Sequence, residues 1–334
     1  MHVATSPKEV TLLKAVVDQS ADFERKLEYA RHLAALGDAR SDLLHAATDI
    51  KTGADTFPNI DGVSQSWLDV TGISIIKQLL EAGLSSLRDP ILALARPTLK
   101  LVPGEAALDA PPETPTELGQ TRLGGDPDLA SEYPYDSEDR PFVFIGQFNM
   151  QDLCGSIVED AFLKAGLLSV FRTPTVYNVA CFPEADDLPK LVQFSSDASA
   201  LKRVIWPPAQ SSREPKDEAD SEGHPPSVHM PYRPNLSIHE TLSLPANLPR
   251  WLDIEDDRLH DLASDDDPFR LLGYCKHNNT GDDDLRGNPE RLQLMRLPSS
   301  EGPDYGVTDG NFSIFVERED LKAGNFDRVE TSFG

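Results

Sequence analysis

The chain has 334 residues, room for one large domain or two ordinary ones, each with a real core. Its 56 Asp and Glu outnumber 31 Lys and Arg, a net charge of −25 that argues against nucleic acid and anionic membranes and favours a basic protein partner. No apolar run approaches bilayer length, and Met1–Val10 lacks a basic-plus-apolar leader pattern, so a cytoplasmic location is expected.

The N-terminus reads as helical. Ser6-Pro7-Lys8-Glu9 is a capping box with proline in the first turn, and Leu13, Val16 and Val17 fall on one face behind it. After a polar break at 18–20, Phe23, Leu27, Ala30 and Ala34 repeat at helical spacing. Gly37 suits the position just past a helix end, and Asp38 can cap a third helix running to about Ile50. The stretch Thr52–Val70 is rich in Gly and Asp and reads as a linker. Ile75, Ile76, Leu79 and Leu80 then predict a short amphipathic helix ending near Gly83. Ile91–Val102 reads as an entering strand, and Ala106–Glu117 as a proline-rich loop.

The most informative feature is a pattern that occurs twice. Arg122-Leu123-Gly124-Gly125 is followed by a strand carrying Gln147 and Asn149, then by Gly166–Phe171. Leu271-Leu272-Gly273-Tyr274 is followed by a strand carrying Gln293, then by Gly310–Phe315. The spacings are 23 and 24 residues in the first copy and 20 and 22 in the second. Each copy reads as a glycine turn, a strand bearing glutamine and a second strand with alternating apolar residues. The expected architecture is α+β: a duplicated, mainly antiparallel β-sheet body with an N-terminal helical appendage. Copy one covers about 91–182 and copy two about 269–334. Between them, 183–268 reads as an insertion that holds nine of the 27 prolines between 207 and 249.

Two resemblances follow from these residues. Phe144-Ile-Gly-Gln147-Phe-Asn149-Met-Gln-Asp-Leu153, Gly310-Asn-Phe-Ser-Ile-Phe315 and the entering Pro97-Thr-Leu-Lys-Leu101 make residues 72–334 resemble the YwqG-like family. That resemblance implies a fold and little mechanism, because family members largely lack an assigned activity. The match is weaker at Tyr133-Pro134-Tyr135 and at Leu272-Gly273-Tyr274-Cys275, where the family motifs are altered. Residues 5–50, through Lys26-Leu-Glu-Tyr29-Ala30 and Gly37-Asp-Ala-Arg40, resemble the repeat-companion domain, with 51–71 as linker. That resemblance implies an interaction appendage rather than chemistry.

Candidate sites are few. Gly124-Gly125 with Arg122 could cradle an anion, though the spacing of a dinucleotide loop is missing. Gln147 and Asn149 share a strand face, and with Arg122 and Gln293 they could line a small-molecule or enzyme site in a cleft between the copies. The alternative role for these amides is to satisfy buried backbone groups. His224, His229 and His239 are spaced by five and ten residues, which fits no metal-binding helix face. Asp265-Asp266-Asp267 and Asp282-Asp283-Asp284 lack the alternating oxygens of a calcium loop. Cys154, Cys181 and Cys275 read as small buried apolar residues. No catalytic residue, cofactor or metal is expected.

From Ser211 to Asp267 there are 14 acidic and 5 basic residues. With no catalytic motif, the composition favours a non-enzymatic binding protein of immunity or regulatory type. It would mask a basic partner through an acidic surface that includes Asp256, Asp257, Asp265, Asp266 and Asp267. A purely structural subunit is the third reading, and the oligomeric state is open.

Overall fold

The computed structural model describes residues 6–18, 20–50, 57–102, 117–135, 141–172, 192–204, 236–245, 269–274, 291–297 and 312–333. Its helices and strands, in chain order, are α1 (Pro7–Asp18), α2 (Phe23–Ala35), α3 (Arg40–Asp49), α4 (Gln65–Val70), α5 (Ile73–Glu81), α6 (Arg88–Leu94), β1 (Arg96–Val102), β2 (Arg122–Leu123), β3 (Asp128–Leu129), β4 (Val143–Asn149), β5 (Leu167–Arg172), β6 (Val192–Ser195), β7 (Lys202–Arg203), β8 (Ser237–Ser243), β9 (Phe269–Leu271), β10 (Arg291–Leu297), β11 (Phe312–Glu317), α7 (Arg318–Ala323) and β12 (Glu330–Phe333). The fold is α+β, with helices at the N-terminus and antiparallel pairing in the rest. No helix among the described residues is long and apolar enough to cross a membrane.

The chain divides into two compact units. The first holds Met1–Lys100, Gly155–Val158 and Ile238–Pro289. The second holds Leu101–Cys154, Glu159–Ser237 and Glu290–Gly334.

In the first unit, Ser6 Oγ accepts from the Glu9 amide at 3.2 Å and starts α1, whose Leu13, Val16 and Val17 are buried as the spacing predicts. α2 closes on a two-bond Gly37 motif: Gly37 N–H donates to Ala34 O at 3.0 Å and Asp38 N–H donates to Leu33 O at 3.0 Å, with Gly37 at φ 71°. Asp38 Oδ1 then accepts from the Arg40 amide at 2.9 Å at the start of α3.

Three expectations need correction here. The buried stripe of α2 is Lys26, Tyr29, Ala30 and Leu33, rotated from the expected face, and Ala34 is exposed. The cause is Lys26, a residue that apolar periodicity discards and that here turns inward. The expected linker contains α4, because Trp67 is a large apolar anchor only 1% exposed, with its indole N–H donating to Tyr29 Oη at 3.0 Å. Residues 91–94 are the end of α6, and the strand begins only at Arg96. Ile91 and Leu92 are fully buried, and a short buried apolar run does not declare helix or strand by itself.

Glu9 joins α1 to its neighbours. Its carboxylate receives Arg40 at 2.9 Å and the Tyr29 hydroxyl at 3.0 Å. The unit also carries a three-strand layer in the order β9-β1-β8. Thr98 Oγ1 on β1 donates to Leu272 O at 2.6 Å, and the Tyr274 amide donates to Ser243 Oγ at 3.0 Å, which ties the turn after β9 to β1 and β8.

In the second unit, β2, β4, β5 and β6 form a sheet in that order, and β3 pairs with β7 as a separate ribbon. β4 is buried along nearly its whole length, so it lacks the two-residue alternation of a half-exposed strand. Phe171 anchors this core, with Phe144 at 5.5 Å and Tyr133 at 5.7 Å between ring centroids. β10, β11 and β12 run antiparallel in sequence order. Each glutamine-bearing strand pairs antiparallel with the strand that follows it. Gln147 faces Ser169 across β4–β5, whereas Gln293 faces Phe315 across β10–β11.

Candidate functional site

The expected site residues of β2 and β4 meet at a carboxylate that the sequence did not single out. Antiparallel pairing sets Arg122 opposite Gln147, and the Gly124-Gly125 turn returns the chain so that β3 begins at Asp128. The β3–β7 pairing sets Asp128 opposite Arg203, 75 residues away.

Asp128 is fully buried and densely bonded. Its Oδ2 accepts from the Gly119 amide at 2.9 Å, Arg122 Nη1 at 2.9 Å, Gln147 Nε2 at 2.8 Å and Arg203 Nη2 at 3.4 Å. Its Oδ1 accepts from Arg203 Nε at 3.0 Å. Burial opposes ionisation here, but the hydrogen bonds from Arg122 and Arg203 outweigh it and hold the carboxyl at about 2.

Gln147 completes the arrangement. Its Oε1 accepts from the Asp128 amide at 2.9 Å, and its Nε2 also donates to Gln120 O at 2.9 Å. Arg122 Nη2 donates to Asp126 O. Arg122 therefore binds the Asp128 carboxylate and grips the turn, and the amide of Gln147 is spent on Asp128 and on backbone groups. Asn149 is half-buried. Its Nδ2 donates to Gly119 O at 3.0 Å, and its Oδ1 accepts from the Gln151 amide at 3.0 Å, starting the short 3-10 turn Met150–Leu153. Chemically, this set fastens the segment 119–128 to β4 and β7.

Gln293 is placed differently. It is fully buried, its Nε2 donates to Ser313 Oγ at 2.9 Å, and its Oε1 has no partner among the described residues. Its hydrogen bond to Ser313 does not join it to Arg122, Gln147 or Asn149.

Open pockets lie on both units. One of about 400 Å³ in the first unit is lined by Asp18, Ser20, Ala21, Asp22, Ala93 and Ala95. One of about 230 Å³ in the second is lined by Met150, Leu153, Cys154, Phe162, Leu163 and Lys164. The four expected ligand residues line neither. Cys154 is exposed at the second cavity, which corrects its reading as a buried apolar residue. Its thiol lies 3.5 Å from Met150 O and 3.4 Å from Lys164 O, where a weak S–H donor finds acceptors at the protein surface.

His239 is exposed on β8. Asp256, Asp257, Asp265, Asp266, Asp267, Asp282–Asp284, His224, His229, Cys181 and Cys275 lie outside the described residues. Among the described residues, no group of three or more His, Cys, Asp or Glu is placed to hold a metal ion.

Sequence reasoning missed Asp128 and Arg203. Asp128 stands in a turn-like context of Gly, Asp and Pro, where an acidic residue is unremarkable, and its partner Arg203 is far away in sequence.

Residues 121–333 match the family model described as a domain of unknown function, DUF1963, and the chain belongs to this family, the YwqG-like proteins. A comparison with curated proteins finds no significant match.

Proposed function

We propose that this family member is a non-catalytic protein-binding module, of immunity or regulatory type, that masks a basic partner through an acidic surface. The net charge of −25, with 14 acidic against 5 basic residues in 211–267, carries this reading. A field of that sign attracts and orients a cationic protein and discourages anionic ones. The contact surface includes Asp256, Asp257, Asp265, Asp266 and Asp267. The helical N-terminus serves as a repeat-companion-type appendage beside a duplicated body, and the protein acts in the cytoplasm. The inward-facing bonds of Arg122 and Gln147 favour this reading over a small-molecule site at those residues.

The test is capture of partners by the immobilised full chain at low and high salt. It is repeated with a variant in which the five aspartates are replaced by asparagine. A basic protein retained at low salt, released at high salt and lost by the variant is the expected result. Retention that ignores both salt and the substitutions defeats the proposal.

A further inference from the structure

The first unit buries two basic side chains against one aromatic ring. Arg88 Cζ lies 3.8 Å from the Phe23 ring centroid, and Lys26 Nζ lies 5.3 Å from the same centroid. The two are not equally provided for. Arg88 donates through Nη1 to Ala47 O at 2.8 Å and Thr48 O at 3.1 Å, which satisfies the last turn of α3, and through Nε to Asp89 at 2.8 Å.

Lys26 has no exposed surface, and its Nζ finds one acceptor, Thr71 O at 2.9 Å, just past the end of α4. A charged ammonium carries three N–H donors and no acceptor, whereas a neutral amine carries two donors and a lone pair. One carbonyl in an apolar setting therefore suits the neutral form.

The groups that face Lys26 agree. Its own helix presents the Phe23 ring, and the junction of α4 and α5 presents Thr71 O and Gly72. From α6 come Arg88, a like charge, and Asp89, a half-exposed carboxylate that Arg88 already binds. Leu92 of α6 and Leu242 of β8 close around Gly72, where an added Cβ would stand 3.5 Å from Lys26 Nζ and 2.8 Å from Leu92 Cδ2. Thr71 O, the Phe23 ring and the Asp89 carboxylate make up only part of the water that an ammonium loses.

We propose that Lys26 readily gives up its proton in the folded protein and that its reprotonation loosens the junction of α2, α4 and α6, which makes the helical unit responsive to pH.

The sign follows from burial. Desolvation, reinforced by Arg88 and opposed by Asp89, lowers Lys26 to about 7 from its ordinary 10.5. The unfolded chain binds this proton more tightly than the folded one. The destabilisation is complete below about 7 and fades as pH rises toward 10.5.

Two measurements on the full chain test the proposal. In the first, urea unfolding at several pH values from 7.5 to 9.5 compares the wild type with Lys26→Met. The wild-type unfolding constant, relative to the variant, should fall by up to about tenfold per pH unit. Hydrogen exchange in residues 65–94, corrected for intrinsic rate, should slow over the same range in the wild type and not in the variant. A difference that does not change with pH overturns the proposal. In the second, which needs no variant, the side-chain nitrogen resonance of Lys26 is followed by NMR. A midpoint near 7 supports the proposal, and an amine that stays protonated to pH 10 sinks it.

Discussion

Gln147 and Asp128 are joined by two hydrogen bonds that run in opposite directions. The Asp128 amide donates to Gln147 Oε1 at 2.9 Å, and Gln147 Nε2 donates back to Asp128 Oδ2 at 2.8 Å. The side chain of a central strand thus reads both the backbone and the carboxylate of a residue 19 positions earlier. It makes the segment between β2 and β3 part of the core instead of a loose connection.

Gln147→Ala leaves the Asp128 amide and Gln120 O without these partners and opens a cavity. A loss of about 2–4 kcal/mol is expected in urea unfolding. Gln147→Glu keeps the volume but brings a second carboxylate beside Asp128. It should cost more than the alanine at pH 7 and recover part of the loss in mild acid, where the new carboxyl takes up a proton.

Asp128→Asn leaves Arg122 without its carboxylate partner in the interior. Arg203 is 27% exposed and keeps some solvent, so the expected loss is about 3 kcal/mol, at the lower end for a broken buried pair. The pH dependence has a definite sign. The folded carboxyl is lowered to about 2 from 3.8, so its contribution is full above about 4 and is lost as pH falls through 2. Acid titration of stability should therefore show a limb between those values that the asparagine variant lacks.

Tyr29→Phe removes one hydroxyl that donates to Glu9 and accepts from Trp67. The buried indole N–H is left without that acceptor, and Glu9 loses the hydroxyl but keeps Arg40. About 1–2 kcal/mol should be lost, with a change in the Trp67 contribution to native fluorescence. Burial also raises the Tyr29 hydroxyl well above the ordinary tyrosine range. Ultraviolet titration of the native protein should show this residue un-ionised where exposed tyrosines have already lost their protons.

Gly166→Ala is the severe glycine substitution. Gly166 has φ 123°, and an added Cβ would stand 2.3 Å from Phe194 Cζ and 2.8 Å from Ser195 O. Backbone strain and overlap together predict a loss of about 3 kcal/mol or more. Gly62→Ala is the control, since nothing lies within 4 Å of its Cβ position. Its cost should stay near the roughly 1 kcal/mol of the left-handed backbone alone. Thermal melts of the two variants should separate clearly.

Much of the local architecture was legible in the chain. Leu13, Val16 and Val17 mark the inner face of α1, Ser6 and Asp38 start helices, and Gly37 ends one. These features need only neighbours three or four residues away, so spacing suffices to find them. The run Val143–Asn149 declared a strand through its β-branched and aromatic residues, which is also a local signal. The candidate site was half legible: Arg122, Gln147 and Asn149 do gather around one segment, 119–128.

What the tertiary structure alone decided is where polar side chains point and whom they meet. Lys26 goes inward because the end of α4 needs a donor, a fact written 45 residues away at Thr71. Trp67 makes α4 part of the core because Tyr29 offers its indole an acceptor. Arg122 is bound inward because Asp128 is there to receive it, and Asp128 is ionised in the interior because Arg122 and then Arg203, returning from 75 residues downstream, both bind it. The sequence by itself determined charge, family and the period of elements such as α1, since these rest on composition and local order. Partners far apart in the chain become neighbours only when strands pair and helices pack, and it is those neighbours that separate a ligand-facing amide from one that locks a turn.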